Sequence, residues 1–120
     1  MSETVQQLMR ELKEKLSALY GPRLTTPPHR NAPGTPALKG VFLFGSCARG
    51  EAEAESDVDV LIVLDRVDNY AMEIDRSSEL VAELSLEYGR SISCVYVSEE
   101  RWRQDQTMFL INVREEAIPA

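Results

Sequence analysis

Asp57 and Asp59 flank Val58 at the start of an apolar run over residues 58–64. If that run is a strand, residues i and i+2 share a face with Cα atoms about 6–7 Å apart. Two carboxylates about 5 Å apart repel by about 3 kcal/mol at an effective dielectric of 20. A divalent cation offsets that repulsion, and hard oxygen donors suit magnesium. Taken alone, the pair reads as two solvated acids at a strand end. Ten residues separate it, however, from Gly45-Ser46, at the end of a short apolar segment over 39–44. Gly45 leaves that strand where a side chain would obstruct a ligand approaching the backbone. Ser46 adds a hydroxyl and an N–H at the start of a short helix over 46–54, an arrangement that favours phosphate. Alone, Gly45-Ser46 is a tight turn with a helix cap. Combined with the acids, it describes a site for magnesium and a nucleoside triphosphate, in which a hydroxyl attacks phosphorus.

Two other phosphate motifs fail on inspection. Gly40 to Gly45 has the glycine spacing of a P-loop, but Ser46 stands at the lysine position and Cys47 at the Ser/Thr position. The intervening "VFLF" is strand, not loop. No G-x-G-x-x-G occurs.

The elements around the motif follow from periodicity. Val5, Leu8, Met9, Leu12, Leu16, Leu19 and Tyr20 predict an amphipathic helix over 2–20, with Ser2 as N-cap and Gly21-Pro22 as its stop. Residues 21–38 form a proline-rich loop; Pro22 to Pro36 hold five of the six prolines. A helix over 70–88 places Tyr70, Ile74, Val81, Leu84 and Tyr88 on one face and stops at Gly89. A third strand covers 91–97, and Ser98 caps a short helix with Glu99 and Glu100 in its first turn. The tail over 109–118 is apolar enough to dock. The expected fold is α/β (α+β), one domain over 1–120 with helices packed on a small mixed sheet, its core over 39–119.

Composition narrows the function classes. The 120 residues carry a net charge of −7, which disfavours direct nucleic-acid binding through clustered cations. A nucleotide remains compatible, because magnesium brings its own charge. No apolar run approaches the ~20 residues of a membrane span, and no signal-peptide pattern opens the chain, so a cytoplasmic setting is expected. Cys47 and Cys94 read as small buried thiols, and the lone histidine, His29, argues against a His/Cys zinc site. Glu51, Glu53 and Glu55 read as a solvated face. Trp102 and Tyr96 read as packing residues rather than a base-stacking platform.

The stretch "LFGSCARGEAEAESDVDVLIV" resembles the minimal nucleotidyltransferase (MNT) branch of the polymerase-β-type nucleotidyltransferase superfamily, whose signature is G-S-x10-D-x-D. Gly45, Ser46, Arg49-Gly50, Ser56, Asp57 and Asp59 all fit. The tail "FLINVREEAIP" is similar to the family's C-terminal segment. The resemblance implies a nucleotidyltransferase fold and transfer of AMP from magnesium-ATP to a hydroxyl. Gly45 and Ser46 would hold the β,γ-phosphates, and Asp57 and Asp59 would bind Mg2+ as the catalytic acids. Arg49 is either a phosphate contact or half of a structural ion pair.

The family pattern also has a third acid on the strand after the long helix, where Ser93 stands here. A serine cannot serve as a carboxylate base, and Asp65, Glu99 or Asp105 could replace it only if the fold brings one close. The family's members are antitoxins paired with HEPN-domain ribonuclease toxins and can attach AMP to the partner. The resemblance therefore implies a protein acceptor, a HEPN toxin, with this chain as homo- or hetero-oligomeric antitoxin. Two alternatives stand beside it: a catalytically weak or inactive antitoxin that neutralises its partner by binding, and an adenylyltransferase acting on a small molecule.

Overall fold

The computed structural model describes residues 3–20, 36–50 and 57–120. In chain order the elements are α1 (Glu3–Tyr20), β1 (Leu38–Phe44), α2 (Ser46–Arg49), β2 (Val58–Leu64) and α3 (Tyr70–Tyr88). They continue with β3 (Ile92–Ser98), α4 (Glu99–Gln104), α5 (Met108–Glu116) and β4 (Ile118–Pro119). Ser2, His29, Glu51, Glu53, Glu55, Ser56 and most of the proline-rich loop lie outside the described residues.

The four strands form one mixed sheet in the order β3-β2-β1-β4. β1 is antiparallel to both β2 and β4, while β2 and β3 run parallel, joined by the α3 crossover. β2 is a central strand covered on both faces, which is why its sequence is a continuous apolar run rather than an alternating one. Val58, Val60, Ile62 and Leu64 join the inward stripe of α1 in one core. Leu61 and Val63 join Leu110 and Val113 of α5 in a second. Asp59 therefore shares the α5 face with Leu61 and Val63, at the strand's open end. Trp102 packs on Phe42 with ring centroids 4.7 Å apart, and Tyr96 is buried, so both are packing residues as expected.

Gly89 ends α3 in the left-handed region, and the Asn69 side chain caps its start. The inward face of α3 differs from the expected one. Tyr70 and Ile74 are 43% and 46% exposed, while Glu73, Ser77 and Leu84 are buried. The cause is paired polarity: Glu73 accepts hydrogen bonds from the Tyr20 hydroxyl at 2.9 Å and from Arg76 Nε at 3.1 Å. Ser77 bonds the Tyr96 hydroxyl. Satisfied polar groups can face the core, and a hydrophobic pattern does not register them. Burial and the Glu73 hydrogen bond push the Tyr20 phenol far above its ordinary pKa, so it stays a neutral donor.

Replacing Glu73 by Ala removes the acceptor of the buried Tyr20 phenol and one partner of Arg76; we expect a loss of about 3 kcal/mol in urea unfolding. Glu73→Gln keeps an acceptor and should cost about 1 kcal/mol. Equal losses for the two variants would show that the network carries no stability of its own.

The tail docks as expected, through two separate elements. α5 covers the second core, and β4 extends the sheet by pairing Ile118 with Leu43 and Pro119 with Phe42. No helix among the described residues is long and apolar enough to cross a membrane.

Candidate nucleotide site

The site lies where β1 ends and β2 begins. The antiparallel register sets Phe44 opposite Asp59, so Gly45 follows at the level of the acids. Gly45 has φ 77° and ψ −158°, a region that essentially only glycine occupies. A Cβ built on it would overlap the Asp59 carboxylate. The glycine is thus required twice, for its backbone and for the space it leaves to Asp59. Gly45→Ala should cost about 1–3 kcal/mol of stability from the backbone alone. Because the added methyl also displaces the Asp59 carboxylate, we expect magnesium-nucleotide binding to fall further than stability does. Calorimetric titration beside urea unfolding compares the two losses.

The short α2 closes the turn. Ala48 and Arg49 donate their N–H groups to the Gly45 carbonyl, each at 3.1 Å. The expected helix over 46–54 is described only as Ser46–Arg49, with Gly50 left-handed at its end. One helical turn carries little macrodipole, so any anion seated here is held by individual donors rather than by the helix. Cys47 points inward: its thiol donates to the Asp57 carbonyl at 3.6 Å and receives Arg90 at 3.6 Å. It is a buried thiol that ties the turn to the strand carrying the acids. Cys94 is also free, and burial pushes its thiol up to about 12.

Asp57 is exposed just ahead of β2, and Asp59 is half-buried. Burial raises the Asp59 pKa, the Asp57 charge raises it further, and Arg49 lowers it in part. A cation between the two acids would reverse that penalty. Among the described residues, no cluster of three His, Cys, Asp or Glu side chains is placed to hold a metal ion. Two carboxylates with the remaining positions filled by phosphate oxygens and water is the donor set magnesium accepts, so the residues fit that ion.

The parallel register pairs Asp59 with Ser93, and Ser93 is exposed. Ser93 thus occupies the strand position beside the acids. None of the three proposed replacements reaches it. Asp65 follows β2 at its far end, about 20 Å from Asp59 at ~3.3 Å per residue, and accepts from the Ala37 N–H at 2.9 Å. Glu99 and Asp105 follow β3 at that same far end, where they pair with Arg103 at 2.9 Å and Arg101 at 3.0 Å.

One acid at the site escaped sequence reasoning. Glu116 Oε2 accepts the Gly45 N–H at 2.9 Å and Arg49 NH1 at 2.9 Å. Arg49 is therefore half of an ion pair, with its charge also acting on Asp59. Glu116 lies 67 residues beyond Arg49, so no local spacing could reveal it. The family-like tail "FLINVREEAIP" contains it and was the one available signal.

Turn, acids and register together have the arrangement that the nucleotidyltransferase resemblance implies. The chain belongs to the nucleotidyltransferase domain family, which it matches over residues 33–118. It is also 41% identical over 63 residues to a Methanocaldococcus jannaschii protein named "Putative protein adenylyltransferase". That match covers 52% of this chain and 57% of the relative, so the chain spans little more than half of the relative's length. Among solved structures, the fold is similar to a mutant of the toxin-antitoxin MntA-HpeT, with TM-score 0.50 and 20% identity over 88% of this chain and 69% of the other. A toxin-antitoxin with AMP-PNP aligns with TM-score 0.49 and 23% identity, over 76% of this chain and 64% of the other.

Proposed function

We propose that this chain transfers AMP from magnesium-ATP to a hydroxyl of a partner protein, a HEPN toxin, and so acts as its antitoxin. The observation that carries this reading is the fit of Gly45 to Asp59: a glycine held at φ 77° leaves the space that the Asp59 carboxylate fills. A turn shaped only to reverse the chain has no need to admit a charged side chain from the next strand.

In this reading Ser46 and the turn hold the β,γ-phosphates, and Asp57 and Asp59 hold Mg2+. That ion would supply Lewis-acid stabilisation of the charge on the phosphates. The acceptor oxygen forms a bond to the α-phosphorus, the bond to the bridging oxygen breaks, and pyrophosphate leaves with its electron pair. The acceptor's proton passes to water, because Ser93 offers no carboxylate. Family membership and the adenylyltransferase relative support the transfer. The protein acceptor rests on the sequence resemblance and on that relative's name.

Ser93 beside Asp59 favours a second reading, in which the chain neutralises its partner by binding and transfers AMP slowly or not at all. Label transfer from α-phosphate-labelled ATP into lysate proteins, with and without magnesium, separates the two. A magnesium-dependent labelled protein band supports transfer and identifies the acceptor. Label on small molecules alone moves the acceptor class, and an unlabelled partner that co-purifies leaves the binding reading.

A further inference from the structure

We propose that Phe109, backed by Phe44, is the stacking surface for the base of the bound nucleotide. The inference rests on the nucleotidyl-transfer reading above and adds to it the recognition of the nucleoside end.

Phe44 stands beside the acids. It is the antiparallel register partner of Asp59, and residues directly opposite on neighbouring strands project to the same face with Cβ atoms about 5 Å apart. That face is the one α5 covers, where Phe44 packs with the core of Leu61 and Val63. Phe109, near the start of α5, meets the Phe44 ring edge-to-face with centroids 5.8 Å apart. The core beneath the helix takes Leu110 and Val113 instead, and 47% of Phe109 stays exposed.

From the acid pair outward, the order is therefore carboxylates, Phe44, then an open phenyl ring. A nucleotide whose α-phosphate lies at the acids presents its ribose next and its base beyond it. α5 carries both ends of that span. Glu116, which accepts the Gly45 N–H at 2.9 Å, and Phe109 lie about 10 Å apart along the helix at 1.5 Å per residue. The phosphate turn and the open ring thus sit at opposite ends of one rigid element.

No other aromatic group among the described residues is placed for this role. Phe42 and Trp102 stack on each other deeper in the sheet, at the level of Leu61. Tyr20, Tyr88 and Tyr96 pack in the opposite core, and Tyr70 packs on Tyr96. A flat apolar ring beside a charged site suits an occupant that is charged at one end and aromatic at the other. Base–aromatic stacking contributes about tenfold in affinity or more per base. A phenylalanine exposed by chance would be indifferent to whether the ligand carries a base.

The test is calorimetric titration of the full chain, in magnesium, with AMP-PNP and with ribose 5-triphosphate, which keeps sugar and phosphates but lacks the base. Wild type, Phe109→Ala, Phe109→Leu and Phe109→Trp are compared, each checked for folding by its thermal melt. We expect Phe109→Ala to bind AMP-PNP about tenfold more weakly and ribose 5-triphosphate unchanged. Phe109→Leu keeps apolar bulk without a π-face and should lose nearly as much, whereas Phe109→Trp should bind AMP-PNP at least as tightly as wild type.

Equal losses for the two ligands overturn the proposal, because Phe109 would then act on the fold of the site and not on the base. Unchanged AMP-PNP binding by folded Phe109→Ala overturns it as well, and loss of protein labelling in that variant would reassign the ring to the acceptor. Either result leaves the nucleotide reading standing. Wild type that binds neither ligand sinks that reading itself, and the proposal with it.

Discussion

Replacing Asp57 and Asp59 together by Asn is expected to lower magnesium-dependent nucleotidyl transfer at least about a thousandfold, while the folded state holds or gains stability. The first half follows from charge. Among the described residues, the two carboxylates are the only acids that β2 and its entrance carry on the α5 face, and transition-state charge in phosphoryl chemistry is stabilised almost wholly by cations and donors. Each tenfold in rate corresponds to about 1.4 kcal/mol, so a thousandfold loss asks about 4 kcal/mol of the missing ion site. The second half is the discriminating one. Burial and the Asp57 charge raise the Asp59 pKa, which means that the ionised form opposes folding at neutral pH. Asn removes that cost. Structural acids would behave the other way, with stability lost and transfer reduced only as far as the folded fraction. Thermal melts beside single-turnover label transfer separate the outcomes. A variant that melts early and retains its specific rate would refute the assignment.

Ser93→Asp is expected to raise transfer by about a hundredfold or more, the scale on which a positioned general base acts. Ser93 is the register partner of Asp59 on the parallel neighbour, and neighbouring strands lie about 4.8 Å apart. A carboxylate there joins the two existing acids without any backbone change, and its exposure leaves room for it. It also adds a third negative charge to a pair that already repels. The melting temperature of Ser93→Asp should therefore fall without magnesium and recover when magnesium is added. Ser93→Asn, of nearly the same shape but without charge, should show neither effect. If Ser93→Asp folds, responds to magnesium in its melt and still transfers at the wild-type rate, proton removal does not limit this protein. The binding reading of its function would then gain ground.

Glu116 sits on the other side of the same glycine and takes Arg49 at 2.9 Å. This ion pair is half-exposed, so it contributes little to stability, on the order of 0–1 kcal/mol.

The order of elements from α1 to α4 was legible from hydrophobic patterning in the long elements and from cap and turn residues in the short ones. β2 was the clearest case, since a strand covered on both sides must be apolar throughout. The motif residues were legible too. Gly45, Ser46, Asp57 and Asp59 are close in sequence, and the chemistry of phosphate and magnesium demands those residue types. The inward face of α3 was not legible, because Glu73 and Ser77 are buried through partners on α1 and β3, far away in the chain. The split of the tail into α5 and β4 was missed because a two-residue strand has no period of its own.

The sequence by itself therefore determined the family, an apolar strand over residues 58–64 and the four residues proposed for the chemistry. Only the tertiary structure decided which acid stands beside them. Ser93 meets Asp59 because β2 and β3 run parallel in one register, and that register puts Asp65, Glu99 and Asp105 at the wrong end of the sheet. Glu116 reaches Gly45 because β4 pins the tail against β1. Both are contacts between segments distant in the chain, set by strand pairing, and no local pattern of residue types records which strands will pair.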